Sequence, residues 1–196
     1  MTNKITDFPD EPTVDPDGVL YLVQDGNDRQ VRVDTLHEFP VNGFADYNHG
    51  GSSVTLTPDV FAQIPNDGTG AFTNTAYPPV GFVRLMDTAT GKIDPSDLDL
   101  GDFLIIRNDF EITPSINDAA VEFRYTLGSG ANAYTLTQQL GRLDRGSGIP
   151  YRFSLRPDMI YMGDANTRDN PIGLEIRCTG AATVVNAGIA IGVVKR

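Results

Sequence analysis

Cysteine occurs once in these 196 residues and histidine twice. A single Cys178 cannot close an intramolecular disulfide or assemble a zinc site, so the chain is expected to fold in a reducing compartment. Positive charge is also scarce: 15 basic against 26 acidic residues leave a net charge of -11. Such a chain repels phosphate backbones and anionic bilayers, which argues against nucleic acid or a membrane surface as partner. Long apolar runs are missing. The longest, residues 181–194, is interrupted by Asn186, Gly188 and Gly192 and is too short to span a bilayer as a helix, so no membrane insertion is expected. Residues 1–17 are polar, acidic and proline-rich, the reverse of an export signal. Helical periodicity is nearly absent, with single turns expected only at residues 33–38, where Asp34 is a suitable N-cap, and around Pro58–Gln63.

What the chain does have is punctuation. Its 20 glycines and 13 prolines are spread along the whole length between short apolar runs, the pattern of an all-β sandwich with many turns. Residues 2–16 carry Pro9, Pro12 and Pro16 among acidic residues, an extended arm expected to lie against a larger body. Residues 19–24 and 29–33 flank an Asp25-Gly26 turn and form the clearest hairpin. Residues 43–79 read as loose, with a short strand at 54–57, and a domain junction is expected near Tyr77-Pro78-Pro79. Beyond it, strands are expected at 80–85, 102–107, 120–127, 134–143, 151–155, 159–162, 172–178 and 184–194. Period-two alternation is plain in Val121, Phe123, Tyr125 and Leu127 against Glu122, Arg124 and Thr126. About eight strands of this length match a jelly roll or related two-sheet sandwich. The expected architecture is therefore an N-terminal region, 1–79, and a jelly-roll domain, 80–196.

Two stretches resemble bacteriophage virion proteins. Residues 18–36 (GVLYLVQDGNDRQVRVDTL) resemble the short N-terminal module of tail fibres and tailspikes: an apolar strand, a Gly turn, a polar strand and an Asp-Thr-Leu helical turn. That resemblance implies attachment to the particle through residues such as Leu20, Leu22, Arg29, Val31 and Leu36. Residues 100–114 (LGDFLIIRNDFEITP), 160–172 (IYMGDANTRDNPI) and 184–188 (VVNAG) are similar to C-terminal jelly-roll domains of fibre-like proteins of marine phages. The similarity implies a homotrimer arranged like tumour necrosis factor. No shaft repeat separates the two regions, so the resemblance points to a stubby spike, a head fibre or a capsid decoration rather than a long fibre.

Residues that carry chemistry are few. Gly128-Ser129-Gly130 and Gly146-Ser147-Gly148 lack the Lys-Ser/Thr ending and following helix of a phosphate cradle and read as turns. His37 and His49 have no metal-ligand spacing around them and read as solvated or capping residues. Cys178, with no histidine in its half of the chain, reads as a small buried hydrophobe. Asp94, Asp97 and Asp99, with Asp102, have a spacing that calcium could use, though a solvated acidic loop explains them as well. No catalytic carboxylate pair or β-helical repeat marks a polysaccharide hydrolase, and no cofactor is expected. The loop holding Asp164, Asn166, Arg168, Asp169 and Asn170 could contact a host surface glycan, stitch subunits through Arg168, or simply connect strands.

These features point to a non-enzymatic virion structural protein, assembled in the host cytoplasm with itself and other phage structural proteins of the tail, portal region or capsid. A trimeric fibre or spike with a host-binding head is the leading form. A capsid cement protein and a small carbohydrate-degrading spike are the rivals. The run 184–194 alternates small with β-branched residues and is the expected centre of self-association. If residues 1–16 are the anchor, deleting them should leave the remaining chain folded and abolish its incorporation into particles. Normal incorporation of the deletion, scored by immunoblot of purified particles, would transfer that role to the 19–33 hairpin.

Overall fold

A computed structural model describes residues 19–24, 27–32, 42–51, 53–79 and 81–196. The chain divides into two compact units at Pro40/Val41. The first contributes a hairpin of β1 (Val19–Gln24) and β2 (Asn27–Arg32), in which Gln24 pairs with Asn27. Leu20 stands opposite Val31 in register, and Leu22 opposite Arg29. Leu36, His37, the acidic arm and the expected turn at 33–38 lie outside the described residues.

The second unit is an antiparallel sandwich. Its larger sheet is built on β9 (Phe103–Pro114) and β15 (Ala182–Val194). β12 (Tyr151–Ser154) and β13 (Asp158–Tyr161) share the free edge of β9. β3 (Gly43–Tyr47) and β4 (Val54–Leu56) share the free edge of β15, and β6 (Asn74–Tyr77) adds to β3. The smaller sheet runs β11 (Tyr134–Leu143), β10 (Ala119–Leu127), β14 (Gly173–Cys178) and β5 (Ala62–Gln63). β7 (Met86–Asp87) and β8 (Lys92–Ile93) form a separate ribbon. Taking β12 with β13 as one and setting the short edge strands β4 and β6 aside, the sandwich strands β3, β5, β9, β10, β11, β12/β13, β14 and β15, counted first to eighth, lie in the order first-eighth-third-sixth across the larger sheet and second-seventh-fourth-fifth across the smaller. That interleaved order is the strand order of a jelly roll. Among the described residues no helix is long and apolar enough to cross a membrane.

Several sequence expectations need correction. The domain junction is not near Pro79: β3, β4, β5 and β6 all belong to the sandwich, and the division falls at Pro40. These strands have two to five residues, too short to display a period against the surrounding Gly, Asn and Thr. The described part of the expected 80–85 strand, residues 81–85, is irregular, and the expected helical turn at Pro58–Gln63 is a turn, with Asp59 at φ 60°, leading into β5. The strand expected to stop at Arg107 continues through Asn108-Asp109 to Pro114. β15, which contains the expected centre of self-association, is a central strand, paired with β9 along one edge and with β3 and β4 along the other.

The core lies between the sheets. Phe110 of β9 stacks with Phe123 of β10 (centroids 6.5 Å apart) and with Phe153 of β12 (5.3 Å), and Phe123 meets Tyr125 edge-on at 4.9 Å. Such offset and T-shaped contacts match the ring quadrupoles and add to the burial term. The Tyr125 hydroxyl crosses to the other sheet and donates to Asp158 Oδ2 at 3.1 Å, where the Gln138 amide also donates. Burial, then the Asp158 charge, pushes the Tyr125 phenol well above its ordinary range, so it remains a donor.

β15 changes face partway along. Val184 is buried, and so are Ile189, Ile191 and Val193, an even-to-odd switch that strict alternation forbids. A bulge between Asn186 and Gly188 makes the switch. A Cβ at Gly188 would collide with Nδ2 of Asn48, which donates to Ala187 O at 2.8 Å. Gly188→Ala is expected to cost about 1–3 kcal/mol in urea unfolding. An unchanged midpoint would mean the bulge tolerates a side chain.

Candidate functional site

The outer faces of the two sheets differ. On the smaller sheet, Glu122 stands opposite Arg177 and Arg124 opposite Glu175, giving two cross-strand ion pairs of opposite polarity. The Phe61 ring lies under both guanidinium groups, 3.8 Å from Arg124 Cζ and 4.9 Å from Arg177 Cζ. Over β10 and β14 this face is spanned by its own charged side chains.

The outer face of the larger sheet is open and divides along β9. At one end lies an apolar row across five strands, Met159, Ile105, Gly192, Phe44 and Tyr77, which share one register line. Tyr161, Phe103 and Val194 form the neighbouring row. Met159 is 68% exposed, Tyr161 57%, Tyr77 58% and Phe44 46%. Phe44 and Tyr77 stack at 5.5 Å.

Further along β9 the outward residues become Arg107, Asp109 and Glu111. Arg107 forks onto Asp109, with Nε to Oδ1 at 3.2 Å and Nη2 to Oδ2 at 2.9 Å. Ser154 of β12 closes the cluster, accepting from Arg107 Nη2 at 2.8 Å and donating to Asp109 Oδ1 at 2.7 Å. Arg152 donates to Glu111 at 3.0 Å. Two depressions flank Asp109 and Ala187. One, of about 280 Å³, is lined by Asp46, Asn48, Phe72, Arg107 and Asp109. The other, of about 440 Å³, is lined by Glu111, Arg152, Phe153, Ser154 and Val185.

The wall carrying Phe72 is braced by amides. Asn66 donates to Tyr47 O at 2.7 Å, Asn186 to Pro65 O at 3.0 Å, and Gly70 N to Asn48 O at 2.8 Å. Asp67 accepts from Gly50 N at 2.9 Å and Thr69 N at 3.0 Å and contacts His49 Nδ1 at 3.2 Å. The N–H groups of Gly50, then Thr69, hold the Asp67 carboxyl well below the usual carboxylate range. Its folded pKa is depressed, so its contribution to stability is present above the ordinary aspartate value and lost only as pH falls through the lower folded one.

The sequence-derived candidates are distributed differently. Asp164 caps the one-turn α1 (Ala165–Arg168), accepting from Thr167 N at 2.8 Å. Asn166 bonds Ser129 N at 3.2 Å and Asn132 O at 3.2 Å, and Asn170 Nδ2 bonds Asn166 O at 2.8 Å. These amides tie α1 to the β10–β11 turn. Arg168 pairs with adjacent Asp169 at 2.6 Å; the hydrogen bond, then the charge, raises the guanidinium and lowers the carboxyl. Asp94 pairs with Arg84, Asp97 accepts from Val83 N, Asp99 pairs with Lys195, and Asp102 accepts from Arg196 N. Among the described residues no group of three His, Cys, Asp or Glu is placed to hold a metal. Cys178 is fully buried, and that burial raises its thiol.

The groove residues escaped the sequence because they come from β3, β9, β12 and the loop before β6, which only register brings together. The alternation of Arg107, Asp109 and Glu111 with Asn108 and Phe110 was the one available signal.

The chain matches no protein-family model, and no curated protein sequence matches it. Among solved structures it is similar to infectious bursal disease virus, Gx strain, at 13% identity and TM-score 0.37, covering 79% of this chain and 30% of that one. It is also similar to the PRD1 vertex protein P5, at 14% identity and TM-score 0.38, covering 80% of this chain and 98% of that one. The infectious bursal disease virus VP2 subviral particle gives 14% identity and TM-score 0.33 over 96% of this chain and 41% of that one. The chain thus spans less than a third of the first of these structures. By its own strand order the protein is a jelly-roll β-sandwich.

Asn166→Ala should release α1 from the 129–132 turn and lower stability by about 1–2 kcal/mol in urea unfolding. Arg168→Ala, at an exposed pair, should change it by no more than about 0.5 kcal/mol. The opposite ranking would return Arg168 to the centre of the loop.

Proposed function

We propose that this protein is a non-enzymatic bacteriophage virion subunit that works as an oligomer, anchored through its first 40 residues and displaying the jelly roll outward. The observation that carries this reading is the apolar end of the larger sheet. Met159, Tyr161, Phe44 and Tyr77 are large, apolar and more than two-fifths exposed, on adjoining register rows. A chain of net charge -11 gains nothing in solubility from such a belt. Contiguous apolar patches on soluble domains mark association surfaces.

The occupant we assign is a second copy of the chain. Gly192 and Ala190 keep the middle of this face low, so the flanking rings can interdigitate with those of a neighbour. The belt includes Gly192 and Val194 of β15, the strand expected at the centre of self-association, and the trimer implied by the fibre resemblance is the form we expect. A short fibre or spike suits attachment through the hairpin. A shell-clamping decoration protein would use the same belt, and imaging the subunit in particles separates the two.

Light scattering at micromolar concentration should report a trimer. Tyr77→Asp combined with Met159→Asp should give a folded monomer with an unchanged circular dichroism spectrum. A monomeric wild type would overturn the proposal, as would a double variant that stays trimeric.

A further inference from the structure

The polar half of the same sheet face has features that the belt does not explain. Phe72 is 84% exposed, and its ring makes no stacking contact among the described residues. A benzyl group presented to solvent is costly, yet the loop carrying it is clasped by the Asn48 backbone, which bonds Gly70 and Thr73, and by Asn66 and Asp67. The ring is therefore held out by a braced wall. The Asp46 carboxylate, lining the same depression, makes no hydrogen bond or ion pair with any described residue, and Asn48 uses its Nδ2 while its Oδ1 stays available. Arg107 engages Nε and Nη2 and leaves both Nη1 hydrogens outward.

We infer that this groove is a carbohydrate-binding site for a neutral hexose glycan. A pyranose ring has an apolar C–H face that stacks on an aromatic ring, and an equatorial rim of hydroxyls that each donate and accept. Phe72 supplies the platform. Asp46, Asp109 and the Asn48 carbonyl supply acceptors, and Arg107 supplies donors already fixed by Asp109 and Ser154. Pinned donors cost less ordering on binding than free ones. The second depression, which shares Asp109 and Ala187 with the first, adds Arg152 and Glu111 beside the apolar Phe153 and Val185, room for a further sugar. Both volumes are of the order of ordinary small-ligand clefts, which begin near about 300 Å³.

Charge selects among glycans. Asp46, Asp109 and Glu111 outnumber Arg107 and Arg152 in the groove, and the whole chain is strongly acidic. Sialylated, sulfated or phosphorylated sugars are repelled, while uncharged hexoses are not.

This inference goes beyond the oligomer proposed above, because each groove lies within one chain. The test uses the full chain and three neutral probes, trisaccharides of glucose, galactose and mannose, with a sulfated trisaccharide as the charged control. Isothermal calorimetry and saturation-transfer NMR should detect at least one neutral probe at millimolar concentration and not the sulfated one. Phe72→Ala should weaken that binding about tenfold, the scale of one aromatic contact. Asp46→Ala should weaken it as well, and neither variant should shift the unfolding midpoint, since both side chains are free of the core. The Tyr77→Asp, Met159→Asp variant should bind each sugar as well as wild type, so loss of the oligomer and loss of the site are read separately. The inference is overturned if no neutral probe binds, if the sulfated probe binds better, or if Phe72→Ala leaves affinity unchanged.

Discussion

The fold depends on one ladder, the antiparallel pairing of β9 with β15 from Ala182 opposite Pro114 to Val194 opposite Phe103. Every other strand of the larger sheet is placed by it: β12 and β13 use the outer edge of β9, while β3 and β4 use the outer edge of β15. The chain must therefore bring its last strand back beside its middle, a contact of long sequence separation whose loop-closure entropy precedes most of the packing it allows. The inward residues of the two strands, Leu104, Ile106, Phe110 and Ile112 against Val184, Ile189, Ile191 and Val193, supply the burial that offsets it.

Within that ladder the bulge at Asn186–Gly188 does two things at once. It lets both halves of β15 face the core despite their opposite sequence parity. It also opens the strand where Asn48 and Asn186 anchor the Phe72 wall, so the depression lies where regular pairing is broken. Asn108 lies across from Ile189, next to the bulge, with its side chain buried and neither amide atom bonded to protein. A buried amide of that kind carries a desolvation cost of about 1–3 kcal/mol.

Legibility in the sequence followed the physics of each segment. β10 and β11 were readable because one face of β10 is uniformly buried and its turns carry glycine, so alternation and punctuation agree. β9 was cut short at Arg107 because Asn108-Asp109 resembles a turn, yet Asn108 points inward and the period-two register continues through it. β4 was expected at 54–57, but β3, β5 and β6 were invisible for lack of length, and the domain boundary was misplaced with them. The 164–170 loop was correctly found as polar and between strands. Its amides proved to be internal ties, since a short loop must satisfy its own backbone and its neighbours' before it can offer anything outward. The groove needs cross-strand register between Arg107 and Ser154, 47 positions apart, and no single-sequence pattern encodes that.

The division of one sheet face into an apolar half and a polar half has a consequence for how the two proposals work together. β9 carries Phe103 and Ile105 at one end and Arg107, Asp109 and Glu111 at the other, so belt and groove are separated by a few strand residues on a rigid sheet. A shallow, water-exposed sugar site of this size is expected to bind weakly on its own, because only a few hydrogen bonds survive competition with water. Burying the belt between copies would fix several grooves at constant distance and orientation. The second binding event on a cell-surface polymer then becomes intramolecular, and avidity can exceed the single-site affinity by about 10²–10⁴ without any new contact. On that logic the exposed aromatic residues of the belt and the exposed ring of Phe72 answer different demands on one surface: the belt sets the spacing, and the groove supplies the contact that spacing multiplies.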